Sequence, residues 1–171
     1  ADLLQAVHRT LKRRVGSDLA YVEQVATEGS ATRDPRGWSM TTLYFALVGL
    51  NEKVEINEQT RWVSIDDPQV RALAFDHSHL LQMAVQRFRN KTVYSLLPAY
   101  LLPNDFTYTE LHETYQIILG RAIDESKFRT KLKAHPDLIL GEKRTGVAYR
   151  APVMLRVSPT PSKLLFPKPL V

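Results

Sequence analysis

The chain has 171 residues, enough for one compact domain or two small ones, and its 44% hydrophobic content is typical of a globular protein with a buried core. It has no cysteine, which excludes disulfide and thiolate chemistry. It also lacks a run of about 18 apolar residues, so we expect no membrane span. The N-terminal residues do not resemble a signal peptide, and we expect a cytoplasmic protein.

The net charge of +5 is unevenly distributed along the chain. Residues 1–90 contain 11 basic and 11 acidic residues, whereas residues 91–171 contain 12 basic and 7 acidic ones. A neutral half followed by a basic half indicates two roles, and the basic half is suited to contact a polyanion. Chance asymmetry of a solvated surface explains an excess of five charges equally well.

The first ninety residues predict a mixture of helix and strand. Apolar residues spaced three and four apart between Leu3 and Val15 predict an amphipathic helix that ends at Gly16. A second amphipathic helix is predicted over residues 76–88. Alternating and β-branched residues predict three strands, over residues 21–27, 38–48 and 61–65.

The second half has a different pattern. Residues 91–105 contain two prolines and no sustained period, which predicts an interdomain linker. Thr107 and Glu110 then form a capping-box signature, Gly120 ends that helix, and Asp124 is the N-cap residue of the next one. Two short strands, 138–140 and 153–157, flank a charged tip at residues 141–146. Helix, tight turn, helix and hairpin predict a winged helix-turn-helix over residues 106–158, followed by a proline-rich surface tail over residues 159–171.

The second helix of this motif is a candidate recognition helix. Phe128 and Leu132 are four residues apart and should face inward, so the opposite side should present hydroxyl and basic side chains. Such a face suits phosphates and guanine edges in a major groove. A basic helix that serves protein interaction is the alternative. The candidate DNA-binding residues of the helix and the wing are Ser126, Lys127, Arg129, Thr130, Lys133, Lys143, Arg144 and Arg150.

The first helix contains part of a catalytic signature. Residues 9–16 fit the end of the Nudix box, R-E-U-x-E-E-x-G with U a bulky apolar residue, at Arg9, Leu11 and Gly16. The three glutamates of that box bind divalent cations in Nudix hydrolases. The equivalent positions here are Thr10, Arg13 and Arg14, whose side chains offer no carboxylate ligand and would repel a metal ion.

Further motifs follow in a fixed order: Arg33-Asp34-Pro35-Arg36-Gly37-Trp38, then residues 73–77, then 106–111, then 119–132. Together they resemble the bacterial Nudix-related transcriptional regulators of NAD metabolism. The resemblance implies an α+β protein: an N-terminally incomplete Nudix-like α/β/α sandwich over residues 1–90, followed by the winged helix. About ninety residues are too few for the complete sandwich, so we expect a truncated N-terminus. The Gly-Arg-Pro-Ala that this family has after the wing reads Tyr149-Arg150-Ala151-Pro152 here.

The resemblance implies a homodimer that binds double-stranded operator DNA near genes of NAD biosynthesis or salvage. It also implies a small nucleotide effector, ADP-ribose or a related compound, and no cofactor, metal or catalytic residue. Asp34 and Asp76 fit turn and N-cap roles better than ligand contact, and the histidines have no metal-ligand spacing. The candidate effector-binding residues are Arg33, Arg36, Phe75, His77, Arg13 and Arg14.

Two other functions remain open at this point. An active Nudix ADP-ribose or nucleotide-sugar pyrophosphatase would need displaced carboxylates, and Asp2 is the only acidic residue on the box helix. A winged-helix adaptor for protein interaction would not show the DNA binding, steeply dependent on salt, that is expected of a DNA-binding protein. Magnesium-dependent turnover distinguishes the first alternative, and salt-dependent DNA binding distinguishes the second.

Overall fold

The computed structural model describes residues 2–16, 21–54, 58, 60–143, 151–162 and 164–170. The chain divides into two compact units, the first made of Ala1–Val48 and Glu52–Arg87, the second of Gly49–Asn51 and Phe88–Val171. Within the described residues, no helix combines the length and apolar character needed to cross a bilayer.

The first unit begins with helix α1, Leu3–Val15, as predicted. The Asp2 side chain caps its start by accepting a hydrogen bond from the Gln5 N–H at 2.7 Å. Gly16 ends the helix in the left-handed conformation, φ 69°, and its N–H bonds the Lys12 carbonyl. These local signals explain why the helix boundaries could be predicted.

Two of the three predicted strands form an antiparallel hairpin. Strand β1, Tyr21–Ser30, pairs with β2, Ser39–Leu47, and a bulge between Gln24 and Ala26 shifts the register. The connection contains a turn in which Gly37, φ 132°, donates to the Asp34 carbonyl.

The predicted strand over residues 61–65 is wrong. These residues have no strand assignment, and Trp62, Val63 and Ile65 are exposed. β-branched and aromatic residues favour a strand only where a neighbouring strand and a packing surface are present. The chain instead turns into a short 3-10 helix, Pro68–Arg71, whose start is capped by the Asp67 side chain.

Helix α2, His77–Thr92, continues four residues beyond the predicted end. The boundary between the two units falls within this helix. Phe75, just before it, has a positive φ of 54°, a rare conformation for a residue with a side chain. Among the described hydrophobic residues of the first unit, only Leu47 and Leu80 are almost fully buried.

Residues 91–105 do not behave as a linker. They include a 3-10 helix, Leu97–Leu101, and three side chains of the hydrophobic core of the second unit, Leu96, Ala99 and Leu102. The leucines of this segment bury apolar area that a flexible linker would leave in water. The segment is therefore an integral part of the second unit.

The predicted winged-helix elements are confirmed in order. They are helix α3, Tyr108–Leu119, helix α4, Glu125–Lys133, strand β3, Leu138–Lys143, and strand β4, Val153–Val157. The strands β3 and β4 pair antiparallel, and Phe106 adds a bridge to Leu155 on the other edge of β4. Strand β3 extends three residues into the predicted tip, so this strand is longer than predicted.

Residues 164–170 of the predicted surface tail pack into the second unit, whereas residues 159–162 are exposed. The backbone of residues 164–170 pairs with residues 93–96 through hydrogen bonds of 2.7–2.8 Å, among them Leu170 N–H to the Val93 carbonyl. Phe166 and Leu170 are buried in the core, and the Phe166 ring lies against the His135 ring with centroids 4.5 Å apart. Of the four prolines that suggested a surface tail, Pro159 and Pro161 precede these two apolar residues, and Pro167 and Pro169 lie between them.

We predict that Phe166→Ala lowers the free energy of unfolding of the second unit by about 3–5 kcal/mol, because it removes a buried aromatic side chain and leaves a cavity. Leu165→Ala is the matched control, since Leu165 is 51% exposed and its loss should change stability by less than about 0.5 kcal/mol. Urea unfolding followed by circular dichroism measures both. Equal stability of the two variants would contradict the packing of this segment.

Candidate nucleic-acid interface and effector region

Helix α4 is held against the rest of the second unit by two buried residues. Phe128 and Leu132 are 1% and 0% exposed, as their spacing predicts. The Phe128 ring contacts the rings of Tyr115 and His112 on α3, with centroids 5.0 and 5.1 Å apart. The Asp124 side chain caps the helix start by accepting from the Lys127 N–H at 2.7 Å.

The turn between α3 and α4 is fixed by hydrogen bonds from α3. His112 Nε2 donates to the Ile123 carbonyl at 2.8 Å, and Gln116 Oε1 accepts from the Ile123 N–H at 3.1 Å. Both backbone groups of Ile123 are therefore satisfied by side chains of the preceding helix. His112 therefore has a structural role in holding this turn. No metal-ligand spacing was found for it in the sequence.

The outward side of α4 carries the predicted polar and basic residues, and all of them are exposed. Thr130 Oγ1 donates to the Ser126 carbonyl at 2.9 Å, so the Thr130 hydroxyl presents its acceptor lone pairs outward. Glu125 is also exposed on the first turn, but its spacing of three and seven residues from Phe128 and Leu132 puts it on their side of the helix. The exposed residues of the outward side, which we call the basic face of α4, are Ser126, Lys127, Arg129, Thr130 and Lys133.

Two contacts of α4 were missed by sequence reasoning. The Arg129 guanidinium carbon lies 5.0 Å from the ring centroid of Tyr108 on α3, at cation–π distance. Lys131 Nζ donates to the carbonyls of Pro169 and Leu170 at 2.6 and 3.0 Å. Both partners are distant in sequence, and no local pattern signals either contact.

The predicted wing residues lie mostly outside the described part of the chain. Lys143 ends strand β3, but its side chain is outside the described residues, as are Arg144 and Arg150. Their DNA contacts stay a prediction, as does the effect of the changed sequence after the wing.

In the first unit, Arg33 forms a two-pronged ion pair with Asp76. Arg33 Nε and Nη2 donate to the two carboxylate oxygens at 2.9 and 3.1 Å, and the side chains are 12% and 24% exposed. The hydrogen bonds from Arg33 lower the pKa of Asp76 and raise that of Arg33. Through this ion pair, Asp76 joins the β1–β2 connection to the start of α2. The sequence predicted only a turn or N-cap role for Asp76.

Arg36 pairs with Asp34 within the same connection. Asp34 accepts from the Arg36 backbone N–H at 2.9 Å, the turn chemistry predicted for it, and from the Arg36 guanidinium at 2.7 Å. The guanidinium lowers the pKa of Asp34, while the Arg36 side chain is 85% exposed.

The structure brings some of the effector candidates together. Phe75 and His77 precede and follow Asp76 in the sequence, and the centroids of their rings lie 5.9 Å apart. Asp76 in turn accepts hydrogen bonds from Arg33. Arg36 is in the same β1–β2 connection as Arg33. Arg13 and Arg14 are on α1, where both are exposed.

Three residues of α1 were predicted to replace the metal-binding glutamates of the box. Thr10, Arg13 and Arg14 are exposed on the helix. Across the part of the chain that the structure describes, no group of three or more His, Cys, Asp or Glu residues is arranged to bind a metal ion.

Helix, turn, helix and a two-stranded wing define the second unit as a winged helix domain. A family model for the NrtR DNA-binding winged helix domain matches residues 98–156. Shewanella oneidensis NrtR, in a crystal structure with a 27mer DNA, is 31% identical, with a TM-score of 0.84 over 100% of this chain and 80% of that one. The chain belongs to the NrtR family.

Two further comparisons give a curated relative and a shared fold. The "ADPR responsive transcriptional repressor NtrR" of Acinetobacter baylyi is 44% identical over 134 residues, which are 77% of this chain and 54% of that protein. The chain thus spans about half the length of this curated relative. A MutT/nudix family protein of Enterococcus faecalis, 23% identical, shares the fold with a TM-score of 0.72 over 92% of this chain and 70% of that one.

The ion pair of Asp76 predicts a pH dependence of stability. Because the folded pKa is below the value of about 3.9 for an unfolded Asp, the stabilisation is complete above that value and is lost as pH falls through the folded pKa. We predict that Asp76→Asn lowers Tm at pH 7 and that this difference shrinks below about pH 4. Thermal unfolding between pH 7 and pH 2.5 measures it, with Asp66→Asn, an exposed carboxylate, as control. A difference that does not change with pH would contradict the ion pair.

Proposed function

We propose that this chain is a ligand-responsive transcriptional repressor in which the winged helix binds operator DNA and the Nudix-like first unit binds a nucleotide effector. The observation that carries the proposal is the basic face of α4, held outward by the buried Phe128 and Leu132. The DNA complex of Shewanella oneidensis NrtR supports the DNA-binding half. The ADPR-responsive repressor of Acinetobacter baylyi supports the effector half.

On DNA, α4 would lie in the major groove. Lys127 and Lys133 would neutralise phosphates, while Arg129, Ser126 and Thr130 would face base edges. The proposed homodimer would present two such helices to half-sites about one helical turn, or a multiple of it, apart. Operators with two-fold symmetry near genes of NAD biosynthesis or salvage are the corresponding targets, reached in the cytoplasm.

For the effector, we infer that Arg36 is a better diphosphate contact than Arg33. The guanidinium of Arg33 already donates Nε and Nη2 to Asp76, and both side chains are largely shielded from solvent. The Arg36 side chain is 85% exposed, although its partner Asp34 is only 18% exposed, so phosphate oxygens can reach the Arg36 guanidinium from solvent. Arg13 and Arg14 would supply further cations to a diphosphate.

The proposal assigns the chain no catalytic role. A Nudix hydrolase needs carboxylates on its box helix to bind the metal ions that activate water. Thr10, Arg13 and Arg14 occupy those positions, and cations there favour binding of the substrate-like diphosphate over binding of the metal. Magnesium-dependent hydrolysis of ADP-ribose by the chain would overturn this part of the proposal.

We predict that replacing Lys127, Arg129 and Lys133 together by Ala weakens duplex binding at least about a hundredfold. Because Lys127 and Lys133 are the proposed phosphate contacts, the slope of log affinity against log salt should fall by about 0.9 for each of these two lysines. The probe is a labelled duplex that the wild-type chain enriches from a random 20-bp library, about two turns of DNA. Fluorescence anisotropy at several salt concentrations measures the affinity.

The matched control removes three exposed cations from the first unit, by Arg9→Ala, Lys53→Ala and Arg71→Ala. It has the same net charge as the first triple variant, so it separates a local contact from the general attraction of a basic protein to DNA. Unchanged circular dichroism verifies that both variants fold. Equal loss of affinity in the two variants would overturn the assignment of α4.

We predict that Arg13→Ala with Arg14→Ala weakens ADP-ribose binding at least about tenfold, because two cations near the diphosphate are lost. Isothermal titration calorimetry measures the affinity, and Arg9→Ala with Arg71→Ala is the charge-matched control. In the anisotropy assay, ADP-ribose should release the enriched duplex from the wild-type chain, and the Arg13/Arg14 variant should need more of it. Duplex binding that does not respond to ADP-ribose, NAD or ATP would overturn the sensor half of the proposal.

A further inference from the structure

Arg129 differs from the other cations of the basic face of α4 because its guanidinium has a defined partner. Its central carbon lies 5.0 Å from the Tyr108 ring centroid, within the range of a cation–π contact. Glu125, one helical turn earlier on α4, is the other possible partner. Among the ion pairs of the described residues, none joins Arg129 to Glu125. Among the described residues, the guanidinium thus has an aromatic contact and no ion pair with Glu125.

The Tyr108 ring is itself fixed in place. Tyr108 is the first residue of α3, directly after the N-cap residue Thr107. The capping box ties down this turn: Thr107 N–H donates to Glu110 Oε2 at 2.6 Å, and the Glu110 N–H donates to Thr107 Oγ1 at 3.2 Å. The Tyr108 side chain packs against the hydrophobic core of the second unit. Burial raises the pKa of the Tyr108 phenol, so the ring remains neutral at physiological pH.

Because its guanidinium packs against the fixed Tyr108 ring, the Arg129 side chain has lost much of its rotamer freedom before DNA binds. An arginine reads guanine through two parallel hydrogen bonds to O6 and N7, and this contact requires a defined orientation of the guanidinium plane. Lysine side chains at the same face provide charge without such an orientation. Pre-orientation therefore favours base discrimination more than general attraction to the phosphate backbone.

We propose that Tyr108 is a positioning residue that orients Arg129 to read a guanine in the operator. The inference rests on the proposed DNA-binding function and adds to it the residue pair that determines sequence specificity. Arg129 contacts the base, and Tyr108 acts through Arg129 without touching DNA. Removing the ring should therefore reduce discrimination between sequences and leave non-specific binding nearly unchanged.

The experiment uses the full 171-residue chain, the duplex enriched by the wild type from a random library, and a scrambled duplex of the same composition. The variants are Tyr108→Leu, Tyr108→Phe, Arg129→Ala, Arg129→Lys, and Tyr108→Leu combined with Arg129→Ala. The readout is the ratio of the affinities for the two duplexes at one salt concentration, with thermal unfolding of every variant measured alongside.

We expect Arg129→Ala and Arg129→Lys to reduce the affinity ratio by about 5- to 150-fold, the discrimination of one bidentate contact. Tyr108→Leu should reduce it by about 2- to 5-fold, the worth of an exposed cation–π contact, and Tyr108→Phe should keep the wild-type ratio because the ring face is retained. In the Arg129→Ala background, Tyr108→Leu should have no further effect on the ratio.

The double variant separates positioning from a structural role, because a loss caused by misfolding of α3 would persist when Arg129 is absent. A ratio unchanged by Tyr108→Leu, the same loss with Tyr108→Phe, or full additivity in the double variant would each overturn the proposal while leaving DNA binding intact. A wild-type chain that enriches no sequence from the library would overturn the proposed function together with this inference.

Discussion

The packing of Phe128 against α3 is the contact on which the second unit depends most. Its ring lies between the elements of the helix-turn-helix, against His112 and Tyr115, and it is 1% exposed. Because Phe128 and Leu132 must face the core, the remaining side chains of α4 are turned outward by helix geometry alone. The exposure of five polar and basic residues on one face is therefore a consequence of burying two apolar ones.

The first unit is organised by polar contacts more than by burial. Arg33 and Asp76 join the hairpin connection to helix α2, and Glu23 on β1 accepts from Arg87 on α2 at 2.9 Å. Several large apolar side chains of this unit, including Trp38, Met40 and Phe75, are more than 60% exposed. Ion pairs near the surface therefore join the hairpin of this unit to helix α2.

Features set by neighbouring residues in the chain could be predicted, and features set by distant ones could not. The capping box of Thr107 and Glu110, the left-handed Gly120 and the inward spacing of Phe128 and Leu132 are local signals, and each appears in the structure as predicted. The strand predicted over residues 61–65 failed because strands need partners, which a local pattern does not reveal. The contact of Arg129 with Tyr108, 21 positions earlier, and the packing of the C-terminal segment arise only from the folded chain.

The hydrogen bonds that join residues 164–170 to residues 93–96 also have a consequence for biosynthesis. The two segments are roughly seventy residues apart in sequence, and Lys131 of helix α4 donates hydrogen bonds to two carbonyls of the later one. Such long-range closure is slow relative to local helix formation. On the ribosome, the second unit cannot reach its final packing until Leu170 has left the exit tunnel, because Phe166 and Leu170 are part of its hydrophobic core.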